Sequence, residues 1–316
     1  MSLAYLIKRL FWIVVTLLVV SVVVFGITQI LPGNAAIMML GQFATPEQVK
    51  ALEQRYGLTD PAYIQYWRWL SGILAGDWGT SIQMSRPVLP VVLQALANSL
   101  YLAVPSLILV VFLAIPLGVL AAVYRGSVFD LLLTVFSYFG VSLPEFVTAT
   151  VLIAFFARPE LGWFPSGGFT PPDKDLLESL RYIALPVLAL AIVLTAHISR
   201  QTRSEMVDVL QSDYVRAAEL KGLPRSAVLL KHALRNALLP TITVIALDVR
   251  YLLGGIVVVE EVFAFPGIGR LVVFAVQNRD LALIQATALL LAATCAFASL
   301  AADMLYAYVN PRIEYN

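Results

Sequence analysis

Long stretches without a charged residue constrain this chain more than any other feature of its sequence. No Asp, Glu, Lys or Arg occurs between Arg9 and Glu47, or between Arg86 and Arg125. A helix that crosses a bilayer needs about 20 predominantly apolar residues, and each stretch is long enough to hold one. A large soluble all-α core would instead need polar faces at helical spacing, which these stretches lack. The pattern therefore predicts an all-α, polytopic membrane protein.

Six transmembrane helices fit the distribution of apolar residues. The first follows Lys8 and Arg9, and its apolar run is longer than the roughly 7–15 residues of a cleaved signal peptide, so we interpret it as a span. The six predicted spans cover residues 10–31, 98–123, 131–157, 182–199, 237–259 and 282–309.

The distribution of basic residues predicts the orientation of these spans. If the N-terminus is inside, Lys and Arg are about twice as dense in the cytoplasmic loops as in the outer loops, as the positive-inside rule requires. Both termini are then cytoplasmic. The loop at 200–236 is the most basic of the cytoplasmic segments.

The chain divides into three predicted regions. Residues 1–31 form the cytoplasmic N-terminus and the first span, 32–97 an extracytoplasmic segment, and 98–316 a core of five helices. Thr45 and Gln48 have the spacing of a capping box, which predicts a helix start and a small, mainly helical outer-face segment.

The loop between the fourth and fifth spans contains a short helix with a sharp stop. Asp213 can cap this helix, Gly222 permits a left-handed C-cap, and Pro224 prevents continuation. Ala217 and Ala218 are small enough to let a partner approach closely. Two interpretations follow from the residues alone: a helix that seats in a partner's groove, or a solvated basic loop that only orients the protein.

The stretch DYVRAAELKGLPRSAVLLKHALRNALLP, residues 213–240, resembles the cytoplasmic signature of ABC importer permeases in its peptide/nickel-transporter form. Arg216, Ala217 and Ala218 occupy the position of the general Glu-Ala-Ala motif, Gly222 is its glycine, and Leu239-Pro240 is its closing pair. The Arg in place of Glu and the longer gap before the proline are typical of the peptide-transporter branch.

Further resemblance to that branch extends over nearly the whole chain. The matching pieces are Arg55–Leu58, Gly76–Ser81, Ser142–Pro144, Leu252–Glu260 and Asn278–Asp280. Their order and spacing imply the type I ABC importer permease fold with six transmembrane helices, in a bacterial inner membrane. The solutes of such permeases are dipeptides, oligopeptides, glutathione, opine-like compounds or nickel chelates.

The resemblance also implies how the chain is driven. The partners would be a second homologous permease subunit, two ATPase subunits and an extracytoplasmic binding protein, within membrane lipid and without nucleic acid. ATP and Mg would bind the ATPases, with no cofactor, metal or catalytic residue on this chain; no Gly-Lys dipeptide of a phosphate-binding loop occurs. The residues implied to couple the chain to an ATPase are Asp213, Tyr214, Arg216, Ala217, Ala218, Lys221, Gly222, Arg225, His232 and Arg235.

Charged residues inside the predicted spans mark a candidate solute pathway. A charge at the bilayer centre costs about 2.5–3.5 kcal/mol on the mildest scale, so it should face the bundle interior or water. Either a pathway role or a structural ion pair between helices satisfies this requirement, and at the outer end of the fifth span an exposed position is as plausible as a gate. The candidates are Glu145, Asp248, Arg250, Gly254, Gly255 and Glu260.

Two other classes of function remain open on the residues alone. An ion- or proton-coupled secondary transporter would use Glu145 or Asp248 as its proton site, but it leaves the 213–240 signature without a role. A membrane-embedded enzyme would need a paired nucleophile and base, or a set of metal ligands, at one depth. The single cysteine, Cys295, and the two histidines do not provide such a set.

Overall fold

The computed structural model describes residues 3–30, 45–56 and 59–309. Within these residues the chain consists of helices and one short hairpin, in which β1 (Thr80–Ser81) pairs antiparallel with β2 (Arg86–Pro87). A π-helical segment, Val228–Ala233, joins α9 to α10. The helices are α1 Leu3–Ile30, α2 Pro46–Tyr56, α3 Ala62–Leu74, α4 Val88–Val123, α5 Val128–Ser142, α6 Glu145–Phe156, α7 Leu176–Leu210, α8 Asp213–Leu220, α9 Arg225–Ala227, α10 Leu234–Val262, α11 Ile268–Gln277 and α12 Leu281–Val309.

The all-α, polytopic class is confirmed. In the described part of the chain, five helices are long and apolar enough to cross a membrane, and a sixth span results if α5 and α6 count as one. The helices extend beyond several predicted spans: α4 begins at Val88 instead of 98, and α7 runs from Leu176 to Leu210 instead of 182–199. Helical hydrogen bonding continues past the apolar stretch, so an apolar pattern does not mark where a helix ends.

The predicted span at 131–157 is not a straight helix. Helices α5 and α6 meet at an angle of 110°. The break lies at Leu143, which has an extended backbone (φ −91°, ψ 127°) before Pro144. Proline disfavours helical backbone in the residue before it, so the sequence Leu143-Pro144 ends α5.

The described residues separate into two compact units. The first is built mainly from Ser99–Pro266, and its core surrounds α7. Of the most apolar window of α7, 72% is buried, against 11–33% in the other four candidate spans. Gly118 and Gly140 allow α4 and α5 to pack closely on α7, because a Cβ at either position would lie 2.6 Å from an atom of that helix.

The second unit is built mainly from Leu6–Asn98 and Gly267–Phe297. The predicted capping box at the start of α2 is confirmed: the Thr45 amide donates to Gln48 Oε1 at 3.0 Å, and the Gln48 amide donates to Thr45 Oγ1 at 3.3 Å. In the same unit, Ser81 of the hairpin donates to Asp280 Oδ2 at 2.5 Å. Two sequence pieces that resemble the peptide-transporter branch therefore meet in one hydrogen bond.

Candidate functional site

The short helix after α7 is present, with its start one residue earlier than predicted. Ser212, with an extended backbone, is the N-cap residue, and Asp213 is the first helical residue instead of the cap. A carboxylate in the first turn interacts favourably with the helix dipole. The predicted left-handed backbone at Gly222 is confirmed by its φ of +77°.

One side of α8 packs against the chain's own helices. Val215 is 1% exposed and Ala218 is 7% exposed. We call the buried cluster that contains them the coupling base; its other members are Ala122, Met206, Val228, Ala233 and Ala237. Of the two alanines predicted among the coupling residues, Ala218 therefore has its side chain covered by the coupling base, whereas Ala217 is exposed.

The opposite side of α8 and the turn after it are exposed, and we call this surface the coupling tip. Leu220 is 83% exposed and Leu223 is 40% exposed, and neither was singled out from the sequence. The Tyr214 hydroxyl accepts a hydrogen bond from Asn236 Nδ2 at 3.0 Å, which ties the tip to α10. Most other predicted coupling residues are exposed here or on the following turns, with His232 half-buried: Asp213, Arg216, Lys221, Gly222, Arg225 and Arg235.

The π-helical segment changes which residues of the loop face inward. Val228 and Ala233 are five residues apart, the hydrogen-bond spacing of a π-helix, and both are buried in the coupling base. Leu230, which lies between them, is 65% exposed.

A polar contact between two side chains joins the apolar helices α7 and α10. His197 Nδ1 lies 2.9 Å from Asp248 Oδ2, and the Asp248 side chain is only 11% exposed. Asp248 therefore has a partner on another helix, as the ion-pair interpretation requires. His197 was not among the candidates predicted from the sequence, because no local pattern links residues 51 positions apart.

Glu145 and Gly255 approach each other closely. Glu145 is the first residue of α6, directly after the break, so it does not lie in the middle of a continuous span as predicted. A Cβ at Gly255 would lie 3.0 Å from Glu145 Oε1, so glycine is what lets the carboxylate reach α10. Tyr251 of α10 lines the same small cavity as Glu145 and Gly255.

The remaining predicted pathway residues differ in their surroundings. The exposed alternative for Glu260 is wrong: this residue is fully buried, and Ser99 Oγ donates to its Oε1 at 2.5 Å. Among the described residues, no atom lies within 4 Å of a Cβ placed on Gly254, so this glycine makes no close helix contact with them. The Arg250 side chain lies outside the described residues.

A second acid–base pair, between α5 and α7, was not predicted. Arg203 binds Asp130 through Nε and Nη2, the second contact being 2.8 Å, and the Gly126 amide donates to Asp130 Oδ2 at 2.9 Å. Asp130 is 5% exposed. Both residues flank predicted spans, and only Arg203 entered the sequence argument, as one of the basic residues that predict the orientation. The rule that a buried charge needs a partner was the one signal that could have identified the pair.

Comparison with protein families matches both halves of the chain. Residues 114–315 match the family described as binding-protein-dependent transport system inner membrane component. Residues 2–114 match the corresponding N-terminal family, binding-protein-dependent transport system membrane component, N-terminal. The two matches together cover nearly the whole sequence.

Three similar proteins are transport system permeases of about the same length. The oligopeptide transport system permease protein AppB of Bacillus subtilis (strain 168) is 38% identical over 315 residues, covering 99% of both chains. The dipeptide transport system permease protein DppB of Alkalihalophilus pseudofirmus is 35% identical over 333 residues, covering 99% of this chain and 100% of that protein. The glutathione transport system permease protein GsiC of Escherichia coli (strain K12) is 38% identical over 311 residues, covering 98% and 99%.

Proposed function

Because the chain belongs to the family of binding-protein-dependent transport system inner membrane components, we propose that it forms half of the path of a small peptide or a related solute across the membrane. The chain is a multi-pass inner-membrane permease of an ABC importer, and in this family ATP is hydrolysed on separate subunits. The printed names of its relatives support oligopeptides, dipeptides and glutathione as the solute class. The ion-coupled transporter is not supported by family membership.

The complete importer would contain a second homologous permease, two ATPase subunits and an extracytoplasmic binding protein. ATP and Mg would bind only to the ATPases. Both termini and the loop at 200–236 would be cytoplasmic, with residues 32–97 on the outer side. The roughly twofold excess of basic residues in the loops so assigned supports this orientation.

The observation that carries the coupling role is the two-sided environment of α8. Its inner side is fixed by Val215 and Ala218 in the coupling base, and its outer side exposes Leu220 at 83%. Leu223 and Tyr214 are exposed on the same surface, and a cluster of exposed large apolar side chains is typical of a protein-binding site. The coupling tip would therefore seat in a groove of the ATPase and transmit its movement through the base to α7 and α10.

The experiment that tests the coupling role compares two glycines that have nearly the same backbone conformation. Gly222 has φ +77° and Gly126 has φ +80°, and no atom lies within 4 Å of a Cβ built on either. Tryptophan at either position introduces the same left-handed strain, but only Gly222→Trp adds bulk to the coupling tip. We expect Gly222→Trp to abolish ATP-driven uptake and ATPase co-purification, and Gly126→Trp to retain both. Equal behaviour of the two variants would contradict the coupling role.

A further inference from the structure

Glu145 occupies a small pocket at the break between α5 and α6. The apolar residues of the pocket include Leu190 and Leu194, which flank the middle of α7. The carboxylate is half-buried, and Tyr251, whose residue exposure is 51%, lines the same pocket. The lining is completed by Leu252 and Gly255.

The carboxylate has no counter-charge of its own among the described side chains. The ion pairs of the described residues involve other carboxylates, including Asp248 with His197 and Asp130 with Arg203. A charge at this depth cannot face lipid without a penalty of several kcal/mol, so its open side requires water or a cation. The apolar side chains of the pocket supply neither water nor a cation.

The exposed side of α10 gives the pocket an opening. Leu247, Tyr251, Gly254 and Val258 follow one another at spacings of three and four residues, and all four are exposed. Residues at these spacings form one helical stripe. The Tyr251 hydroxyl is on this stripe and the Glu145 carboxylate lies beside it, so both can reach a solute that moves along the stripe.

We propose that Glu145 and Tyr251 bind the ammonium group of an amine-bearing solute during its passage, an inference that rests on the permease function proposed above. An ammonium group has three donors, and the carboxylate and phenol oxygens are acceptors for them. Gly255 is part of the site because any side chain there would press on the carboxylate. A single carboxylate in contact with water holds a cation weakly, which suits a path that must release its cargo.

The first test measures the charge of the site without requiring transport. Cys295 is the only cysteine, so Gly254→Cys in a Cys295→Ala background provides one thiol on the exposed stripe. The assembled complex, in lipid nanodiscs, is treated with a cationic and an anionic methanethiosulfonate of equal size. We expect Glu145→Gln to lower the cation-to-anion rate ratio by about fivefold, the combined effect on two oppositely charged reagents of a unit charge roughly 8 Å away acting through water. The matched control Glu261→Gln, an exposed carboxylate at the end of α10, should leave the ratio unchanged.

The second test identifies the ligand chemistry. Uptake by the complete importer is compared for a dipeptide and its N-acetyl form, both at concentrations that saturate the binding protein. Glu145→Gln should lower the preference for the free amine, and Glu145→Asp should largely restore it.

Several outcomes would overturn the proposal. If neither water-soluble reagent labels the thiol introduced by Gly254→Cys, the stripe faces lipid or a partner subunit. An unchanged rate ratio, an unchanged solute preference, or failure of the Glu145→Gln complex to assemble would exclude an ammonium site. Absence of ATP-driven uptake in the unmodified complex would instead contradict the permease function, while leaving the labelling result valid.

Discussion

Helix α7 carries two acid–base pairs less than two turns apart, and they differ in chemistry and in exposure. Arg203 donates hydrogen bonds to Asp130 from two nitrogens, and the Gly126 amide donates a third to the same carboxylate. His197 makes a single 2.9 Å contact with Asp248, and the histidine side chain is 41% exposed. Guanidinium is always charged, whereas an imidazole is charged only when protonated.

The difference indicates what each pair can do. The Asp130–Arg203 pair joins α5 to α7 beside the coupling base, where Met206 of α7 is fully buried. A bidentate pair with a backbone donor has a fixed geometry, so it suits a junction that moves as one body. The Asp248–His197 pair joins α7 to α10 through one hydrogen bond. Breaking this contact therefore costs less free energy than breaking the bidentate pair.

The largest effect is expected from Asp130→Leu. It leaves the Arg203 guanidinium without its carboxylate, and because the arginine side chain is 28% exposed we expect a loss of about 3 kcal/mol, the lower end for breaking a buried pair. The unfolding temperature of the purified complex should therefore fall strongly, and little complex should assemble. The control Asp208→Leu changes an exposed carboxylate of α7 and should behave like the wild type. Equal stability of the two variants would show that the pair is not a fixed junction.

A smaller effect is expected from His197→Leu. It removes the hydrogen-bond partner of Asp248, a loss of about 1–3 kcal/mol for a buried polar group. Asp248→Asn should cost less, because an amide oxygen can still accept from His197. The same thermal measurement checks both variants. If His197→Leu lowered the stability as much as Asp130→Leu, the two pairs would not differ in how firmly they join their helices.

The smallest effect is expected from Arg203→Lys, which keeps the positive charge but removes the pair of N–H donors that binds both carboxylate oxygens. An ammonium group makes a single-point contact, so we expect a loss of about 1 kcal/mol. Transport should remain, and the unfolding temperature should lie between those of the wild type and Asp130→Leu. A lysine variant as unstable as Asp130→Leu would indicate that geometry matters more than charge at this junction.

Local chemistry explains what the sequence predicted well. Charge-free stretches specify the apolar helices, Thr45 and Gln48 fix the start of α2, and the left-handed turn at Gly222 follows from its position before Pro224. Each of these signals lies within a few residues of the feature that it predicts.

Long-range contacts and non-α geometry explain what was missed. The His197–Asp248 contact joins residues 51 positions apart, and no local pattern encodes it. Ala218 was predicted, from its size and its motif position, to let a partner approach closely, but its side chain is buried in the coupling base with Val215 and Val228. The bend at Leu143 is encoded locally by Pro144, but the apolar run that contains it predicts, by itself, one continuous span.

The central claim is that this chain is the passive path of an importer driven by separate ATPases. The most direct measurement is solute uptake into proteoliposomes that contain this chain, its partner permease and the ATPases, with loaded binding protein outside. The account predicts uptake that requires ATP and Mg inside and persists when ionophores collapse the proton and sodium gradients. Uptake without ATP that stops when the proton gradient is collapsed would contradict it.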